Sequence, residues 1–239
     1  MIDLHCHLLP GVDDGAVNDD QSIELFKLAI ADGITHMVLT PHVHPGRYEN
    51  NSSNLQAPFC RLKALLAEHK LEINISVAGE VRLCSEVLNM YATNELPYIG
   101  KLCGKNVMLL EFPHEGIPPG SDKLVDWLLQ RDILPMIAHP ERNKTIMRDI
   151  NKAAPYIERG CLFQLTAMSV TGKFGEAAHK VAHQFLSNDW ATIIASDAHN
   201  IKHRPPVLSE AYKCIEAEYS ADLAKELFLD TPAKIIQLQ

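Results

Sequence analysis

Histidines and carboxylates recur in short groups along this chain, and the first group lies near its beginning. His5 and His7 are two residues apart, and a loop after them carries the acidic pair Asp13 and Asp14. Alternate residues of an extended strand point to one face, so both imidazoles are expected to project to the same side. Imidazole and carboxylate together are good ligands for divalent cations. This stretch therefore predicts part of a metal site, with two solvent-exposed histidines as the alternative.

The same residue types recur in five later segments. Each segment follows a short apolar run that is typical of a buried strand. In parallel α/β proteins the carboxyl ends of the strands converge on one face, where active sites are built. One such group is uninformative, but groups at six strand ends together favour a shared metal site. The five segments are Thr40-Pro-His42-Val-His44-Pro-Gly46, Gly79-Glu80-Val-Arg82, Leu110-Glu111-Phe-Pro113, Ala138-His139-Pro-Glu-Arg142-Asn and Ser196-Asp197-Ala-His199-Asn.

Nine side chains are the candidate ligands. A divalent cation takes roughly four to six donors including water, so nine groups suit two or three ions. The donor types admit zinc, manganese or iron and do not choose between them. With four carboxylates among the nine, three divalent ions would leave the cluster formally near ~+2, which favours a phosphate dianion. The candidates are His5, His7, Asp14, His42, Glu80, Glu111, His139, Asp197 and His199.

Arginines near these segments supply further positive charge. Arg142 and Arg204 are the candidate catalytic phosphate clamps, because a guanidinium can fork onto phosphate oxygens. An ion pair with the ligand carboxylates is the alternative for both. Arg47, Arg82 and His44 are candidate substrate contacts, and for His44 a place in the loop lining is the alternative.

Composition limits the possible classes of protein. The chain has 239 residues, 46% of them hydrophobic and 22% charged, as in ordinary globular proteins. A formal net charge of -8 without a basic block argues against nucleic-acid binding and against anionic membranes. The 6 cysteines are scattered without a C-x-x-C pair, which suits a reducing cytosol. With no visible signal peptide or transmembrane run, we expect a cytoplasmic protein without direct membrane insertion.

The elements that must position these residues alternate along the chain. About seven short apolar strands are each followed by a helical segment. Such alternation predicts a parallel sheet with helices outside, either doubly wound or closed into a barrel. We expect one domain over residues 1–239. Ser121 is expected to cap a helix, and Thr231 is expected to be the N-cap of a short final helix with Pro232 at its first position.

Taken together, the motifs resemble those of the polymerase and histidinol phosphatase (PHP) superfamily. They read H-x-H-x-L-P-G-x-D-D-G, T-P-H, G-x-E-x-R, L-x-E-F-P, A-H-P-E-R and S-D-A-H-N, and the resemblance runs from Ile2 to about Pro206. Within the superfamily the chain is most similar to the manganese-dependent protein-tyrosine phosphatases of bacterial capsule and exopolysaccharide synthesis. The resemblance implies an α/β fold, a distorted (β/α)7 TIM-like barrel of the PHP type, with three metal ions on its carboxyl face.

The resemblance also implies how the ligands are shared. Glu80 would bridge two ions, and an acid at Glu111 resembles the tyrosine-phosphatase branch, whereas small-molecule branches carry histidine there. Manganese is the implied metal, with iron or zinc possible. A hydroxide bridging two ions would attack phosphorus in line. The implied sets are His5, His7, Glu80 and Asp197 for one ion, Glu80, Glu111 and His139 for a second, and Asp14, His42 and His199 for a third.

The function implied is removal of phosphate from tyrosine on a partner protein. That partner would be a membrane-associated bacterial tyrosine kinase that regulates capsule or exopolysaccharide synthesis, and an oligomer of the phosphatase is possible. None of the cysteines has an arginine six positions later, so the C-x5-R signature of cysteine-based phosphatases is absent. Two alternatives stay open: a small-molecule phosphatase acting on histidinol phosphate or a sugar or nucleotide phosphate, and a non-catalytic metal-binding scaffold.

Overall fold

The computed structural model describes residues 1–238, whose strands form two sheets. One sheet has the order β1-β2-β4, and the other has the order β10-β9-β8-β7-β5-β3, with β6 paired to β7. All pairings between these strands are parallel except that of β6 with β7. The strands are β1 (Ile2–Cys6), β2 (His36–Leu39), β3 (His42–Val43), β4 (Asn74–Val77), β5 (Glu80–Arg82), β6 (Gly100–Leu102), β7 (Lys105–Glu111), β8 (Ile133–Ala138), β9 (Leu162–Thr166) and β10 (Ile193–Ala195).

Two breaks in the ladder divide what would be a single sheet. Pro41 lies between β2 and β3 and has no N–H to donate, although its carbonyl accepts a hydrogen bond from Glu80 (3.0 Å). Gly79 separates β4 from β5, and a Cβ there would lie 2.6 Å from the Val43 side chain. β2 and β3 are therefore two parts of one strand that kinks at Pro41, and β4 and β5 are two parts of another that kinks at Gly79. The two short strands after these breaks were not predicted as strands.

Backbone hydrogen bonds join the first strand to the last. The His7 amide donates to the Ala198 carbonyl (2.8 Å), and the Asp197 amide donates to the His5 carbonyl (2.8 Å). With β2/β3 and β4/β5 each counted as one strand, seven parallel strands close into a ring among the described residues. The predicted distorted (β/α)7 barrel is confirmed.

Helices surround this barrel. Asn18 caps α1, because its side chain accepts from the Gln21 amide (2.9 Å). No helix within residues 1–238 is both long and apolar enough to cross a membrane. The helices are α1 (Asp19–Ala31), α2 (Gln56–Glu68), α3 (Val87–Ala92), α4 (Ser121–Leu129), α5 (Lys144–Arg148), α6 (Ala154–Glu158), α7 (Ala167–Val170), α8 (Glu176–Ser187), α9 (Ser209–Glu218), α10 (Ala221–Lys225) and α11 (Thr231–Ile235).

Two expected helix caps are wrong. Gly120, at φ 85°, precedes α4, and Ser121 is the first helical residue, with its hydroxyl donating to the Pro118 carbonyl (2.5 Å). α11 begins at Thr231 as expected, but Thr231 is its first helical residue and not its N-cap, because a π-helical turn over Glu226–Asp230 runs directly into the helix.

Side-chain alternation along the strands separates the barrel interior from the helix layer. The interior cluster includes Val38, Val107, Leu109 and Met136, whereas their neighbours in sequence pack outward against the helices. On several strands, continuing the inward-facing row by two residues leads from apolar side chains to polar ones. On β7, for example, Val107 and Leu109 are followed by Glu111. The barrel is therefore apolar at its centre and polar at its carboxyl end.

Asp3 stabilises the closure between β1 and β10. Its carboxylate is fully buried and accepts from the Ser196 amide (3.0 Å), the Ser196 hydroxyl (2.5 Å) and the His5 amide (3.3 Å). Burial raises the pKa of Asp3 to about 6, despite these hydrogen bonds. The Asp3 carboxylate thus joins β1, which carries His5, to the segment directly after β10, which carries Asp197.

We expect Asp3→Ala to lower the free energy of unfolding by about 2–4 kcal/mol, because buried donors lose their acceptor. Urea denaturation measures the change. The matched variant Asp20→Ala, at an exposed position in the first turn of α1, should cost less than about 1 kcal/mol. Equal effects of the two variants would contradict this role for Asp3.

Candidate metal centre

The carboxyl end of the barrel opens into a cavity of about 290 Å³. Seven of the nine predicted ligands line this cavity. His5 and His7 lie behind them and are fully buried, with ring nitrogens 3.3 Å from Asp197. The structure thus brings all nine side chains together. The seven that line the cavity are Asp14, His42, Glu80, Glu111, His139, Asp197 and His199.

The orientations of His5 and His7 fit a cation between them. His5 Nδ1 lies 2.8 Å from the Gln164 side-chain oxygen, and His7 Nδ1 lies 2.6 Å from the Asp13 carboxylate. Each Nδ1–H therefore donates to an oxygen, which leaves the lone pair on Nε2. The two Nε2 atoms face each other at 3.2 Å. Two facing lone pairs repel, and a metal ion is the partner that suits both.

Asp13 is a site residue that the sequence-based ligand set omitted. Its carboxylate accepts from the Gly15 amide (2.9 Å) and the His42 amide (2.9 Å) in addition to His7. Gly15 is required beside it, because a Cβ there would lie 2.0 Å from the His7 carbonyl oxygen. The adjacent Asp13-Asp14 pair was visible in the sequence, but nothing in it shows which of the two carboxylates accepts the hydrogen bond from His7.

Glu80 and Asp197 are the buried anions of the site. Glu80 lies 2.7 Å from His139 Nε2 and 2.8 Å from His42 Nδ1, consistent with the cross-strand pairing of His42 with Glu80. Asp197 Oδ1 is buried and accepts no hydrogen bond. An orphaned carboxylate oxygen among imidazole nitrogens is a further sign that the residues fit a cation.

The pKa shifts show how strongly the cluster favours positive charge. Burial opposes ionisation of Glu80, but His5 and His42 hold its pKa well below the usual range. Burial likewise lowers the pKa of His42, yet Glu80 and Asp14 outweigh it and raise that pKa to about 11. His199 shows the opposite balance, since burial and the neighbouring His7 lower its pKa to about 3. The region around Glu80 therefore favours cations, whereas the His199 imidazole stays neutral and keeps a lone pair for a metal ion.

The donor atoms fall into four overlapping groups, and within each group they lie within 4.8 Å of one another. Glu111 groups with His42 and Glu80, whereas His139 groups with His5 and Asp197. The set Asp14, His42 and His199, expected for one ion, lies in one group together with His7. The groups are His7, Asp14, His42 and His199; His5, His7 and Glu80; His5, His139 and Asp197; and His42, Glu80 and Glu111.

The four predicted arginines all line the cavity and all contact carboxylates of the candidate ligand set. Arg142 and Arg204 both donate to Asp197 Oδ2. Arg82 lies 3.0 Å from Glu111, its partner across the β5–β7 ladder. Arg47 reaches Asp14 at 3.9 Å and is largely exposed. The ion-pair alternative for Arg142 and Arg204 therefore matches the observed contacts, while both remain beside the cavity.

Aromatic rings hold these cations in place, and the sequence did not single them out. Phe174 lies under Arg142, with the guanidinium carbon 4.7 Å from the ring centroid, and Arg204 lies 5.9 Å from the same centroid. Tyr48 lines the cavity, stacks on His42 and lies under Arg47 at 5.0 Å. These contacts orient guanidinium groups by cation–π attraction.

Other histidines at the rim complete the lining. His44 lines the cavity, as expected for a substrate contact or a loop residue, and burial near Arg82 lowers its pKa. His114 also lines the cavity, although the sequence indicated no role for it. Both rings face a cavity whose arginines disfavour their protonation.

Two of the candidate ligands have left-handed backbone conformations. His139 has φ 33° and Asp197 has φ 51°, values that side chains with a Cβ rarely adopt. His139 directly follows β8, and Asp197 lies two residues after the end of β10. Turning the chain sharply there directs their side chains into the cavity, and such strain is typical of functional sites.

Fold and site together define the class of this protein: an α/β barrel with candidate metal-binding clusters at the carboxyl end of its strands. A sequence model of the capsular polysaccharide synthesis CpsB/CapC family matches residues 1–237. The chain belongs to this family, in agreement with the resemblance found in the sequence.

Several members of known description are similar to this chain. Tyrosine-protein phosphatase YwqE of Bacillus subtilis (strain 168) is 31% identical over 223 residues, which are 93% of this chain and 87% of YwqE. Tyrosine-protein phosphatase CpsB of Streptococcus pneumoniae is 30% identical over 244 residues, which cover 100% of this chain and 99% of CpsB. This chain also superposes, with a TM-score of 0.92, on a crystal structure from work on YwqE and CpsB as metal-dependent tyrosine phosphatases. The two chains are 30% identical in sequence, and the match covers 100% of this chain and 95% of the other.

We expect Asp13→Ala to weaken binding of Mn²⁺ by about 10–100-fold, because His7 loses the oxygen that fixes its ring. Competition with a chromogenic chelator measures the affinity. Asp20→Ala, the same change on an exposed helix, serves as the control and should bind as the unmodified protein does. Unchanged affinity in Asp13→Ala, with the fold intact by circular dichroism, would show that Asp13 does not orient a ligand.

Proposed function

We propose that this protein is a metal-dependent protein-tyrosine phosphatase acting on a bacterial tyrosine kinase that regulates capsule or exopolysaccharide synthesis. The observation that carries the proposal is the convergence of nine candidate ligand side chains at one cavity, seven in its lining and two directly behind it, with four arginines also in the lining. The naming of YwqE and CpsB as tyrosine-protein phosphatases supports the same activity. We further propose that residues 1–239 act as one domain in the cytoplasm, where such a kinase would present its phosphotyrosines.

We propose that the nine side chains hold three ions, with Mn²⁺ as the working metal. The set contains nitrogen and oxygen donors and no sulfur, which suits manganese and iron as well as zinc. When bound, the ions supply Lewis acidity, which lowers the pKa of a coordinated water and neutralises phosphoryl charge. The proposed sets are His5, His7, Glu80 and Asp197; Glu80, Glu111 and His139; and Asp14, His42 and His199.

The chain's own residues then bind and orient the phosphoryl group. Arg142 and Arg204 are proposed to contact its oxygens, because both line the cavity beside Asp197 and both rest on Phe174. Fixed guanidinium charge stabilises the negative charge that grows on these oxygens in the transition state. The Arg142 side chain is partly buried, and its pKa is raised because the nearby Asp197 outweighs the effect of burial, so it stays cationic.

The rim is proposed to bind the tyrosine side of the substrate. Arg47, Arg82 and His44 line the cavity entrance together with Tyr48. A phenolate leaving group has a solution pKa of about 10, so it departs more readily than the alkoxide of serine. No side-chain nucleophile is needed, and burial raises the pKa of Cys6, the thiol between the two first histidines. Cys6 therefore stays protonated and inert.

The test is phosphate release from a tyrosine-phosphorylated peptide after chelation and re-addition of Mn²⁺, with histidinol phosphate assayed in parallel. Restored activity that favours the peptide is the expected result. Activity on histidinol phosphate alone would replace the proposal with a small-molecule phosphatase. Metal binding without activity on either substrate would favour the scaffold alternative.

We expect His139→Ala to reduce phosphopeptide hydrolysis by more than about 100-fold, because an inward-facing donor beside Glu80 is lost. Initial rates at saturating Mn²⁺ measure the effect. His69→Ala, an exposed histidine at the end of α2, should retain full activity. Near-full activity of His139→Ala would contradict the ligand assignment.

We expect Arg142→Lys to lower kcat/KM by about 10–100-fold, because lysine keeps the charge but not the planar fork that can hold two phosphate oxygens. Steady-state kinetics with the phosphopeptide measure the loss. Arg131→Lys is the control, since Arg131 also rests on an aromatic ring, that of Trp127 (3.9 Å), but lies outside the cavity lining. A loss of equal size in both variants would indicate a structural rather than a phosphate-binding role.

A further inference from the structure

A second group of metal-ligand side chains lies in the helix layer, outside the cavity lining. It consists of His183 on α8 with Cys214 and Glu218 on α9, and one ligand atom from each lies within 4.8 Å of the others. His183 Nδ1 is 3.5 Å from one Glu218 oxygen, and the Cys214 sulfur is 3.3 Å from the other. None of these residues has a place in the proposed phosphatase mechanism.

The His183 ring is oriented as a metal ligand would be. Its Nε2 lies 3.1 Å from the Val170 carbonyl, so that nitrogen carries the proton and donates it. The lone pair is then on Nδ1, which faces Glu218 and accepts a hydrogen bond from the Tyr219 hydroxyl (2.9 Å). A backbone carbonyl that fixes the far nitrogen is the usual support of a metal-binding histidine.

The spacing of the donor atoms matches a tetrahedral ion. Cys214 and Glu218 are four residues apart on α9, so both side chains lie on one helix face. Zinc lies about 2.0–2.1 Å from nitrogen or oxygen and about 2.3 Å from sulfur, which places tetrahedral ligand atoms about 3.3–3.5 Å apart. The sulfur of Cys214 and Nδ1 of His183 lie 3.3 and 3.5 Å from the two oxygens of the Glu218 carboxylate, which is close to that range. A rotation of the exposed carboxylate and the release of the Tyr219 hydroxyl from Nδ1 would complete the site.

Solvent can reach this group from one side. The His183 side chain is 18% exposed and that of Glu218 is 55% exposed, while Cys214 is half-buried. An ion can therefore enter from solution and keep one water as its fourth ligand. Thiolate and imidazole together select zinc over manganese, in contrast to the sulfur-free cluster in the barrel.

We propose that His183, Cys214 and Glu218 form a zinc-binding site separate from the barrel cluster. On binding, the Cys214 thiol releases its proton to solvent, and the Tyr219 hydroxyl gives up its hydrogen bond to His183 Nδ1. The site links α8, which precedes β10 and its Asp197, to α9, which follows the loop that carries Arg204. Bound zinc would thus tie α8 to α9.

The test uses Co²⁺ as a spectroscopic substitute for zinc in the full-length protein. A thiolate ligand gives an intense near-ultraviolet charge-transfer absorption, which imidazole and carboxylate ligands do not give. The barrel cluster has no thiolate donor, since the Cys6 thiol donates to the Val38 carbonyl (3.6 Å). The absorption therefore reports on the helix-layer site alone and does not depend on the phosphatase proposal.

We expect the absorption in the unmodified protein and in the control Cys60→Ala, which removes an exposed thiol on α2. It should be absent in Cys214→Ala, and Zn²⁺ should displace it. Glu218→Gln should keep the fold and weaken Co²⁺ binding by about 10-fold or more. No absorption in the unmodified protein, or the same absorption in Cys214→Ala, would overturn the proposal.

Discussion

The burial of two carboxylates at the end of the barrel is the constraint on which the rest of this site depends. Glu80 and Asp197 are 1% exposed, and an isolated anion in such surroundings is costly, by several kcal/mol after relaxation. The chain responds with imidazoles around Glu80 and with Arg142 and Arg204 on Asp197. Even so, Asp197 Oδ1 accepts no hydrogen bond. A site built this way favours cations and, through them, anionic substrates.

The barrel can hold these buried charges because its interior changes along the strands from apolar to polar. Inward rows are apolar through Val107 and Leu109 and become polar only at Glu111. The hydrophobic interior and the charged cavity therefore share the same strands without mixing. The free-energy cost of burying charged groups is confined to the carboxyl end of the barrel, where solvent, arginines and cations can reach them.

The local pattern predicted a parallel α/β fold and the candidate donor set, and the resemblance to the PHP superfamily chose the barrel over a doubly wound sheet. Apolar runs mark the strands, and the residues just after them converge on one face wherever parallel strands form a barrel. What could not be predicted depends on long-range geometry. Pro41 breaks a ladder whose partner strands are distant in sequence, Asp13 rather than Asp14 turns toward His7, and Phe174 lies under the Arg142 guanidinium. The cap expected at Ser121 failed because the hydroxyl found the Pro118 carbonyl instead.

The closure of the barrel also bears on how the protein matures. Asp3 and Ser196 are separated by 193 positions, yet their hydrogen bonds join the first strand to the last. During synthesis on the ribosome, His5 and His7 emerge early. Their contacts with Asp197 cannot form until that much later residue has also been translated. Parallel strands that pair over such distances fold slowly. His7 can meet its local partner Asp13 early, whereas the candidate metal centre is completed only when Asp197 joins both histidines late in folding.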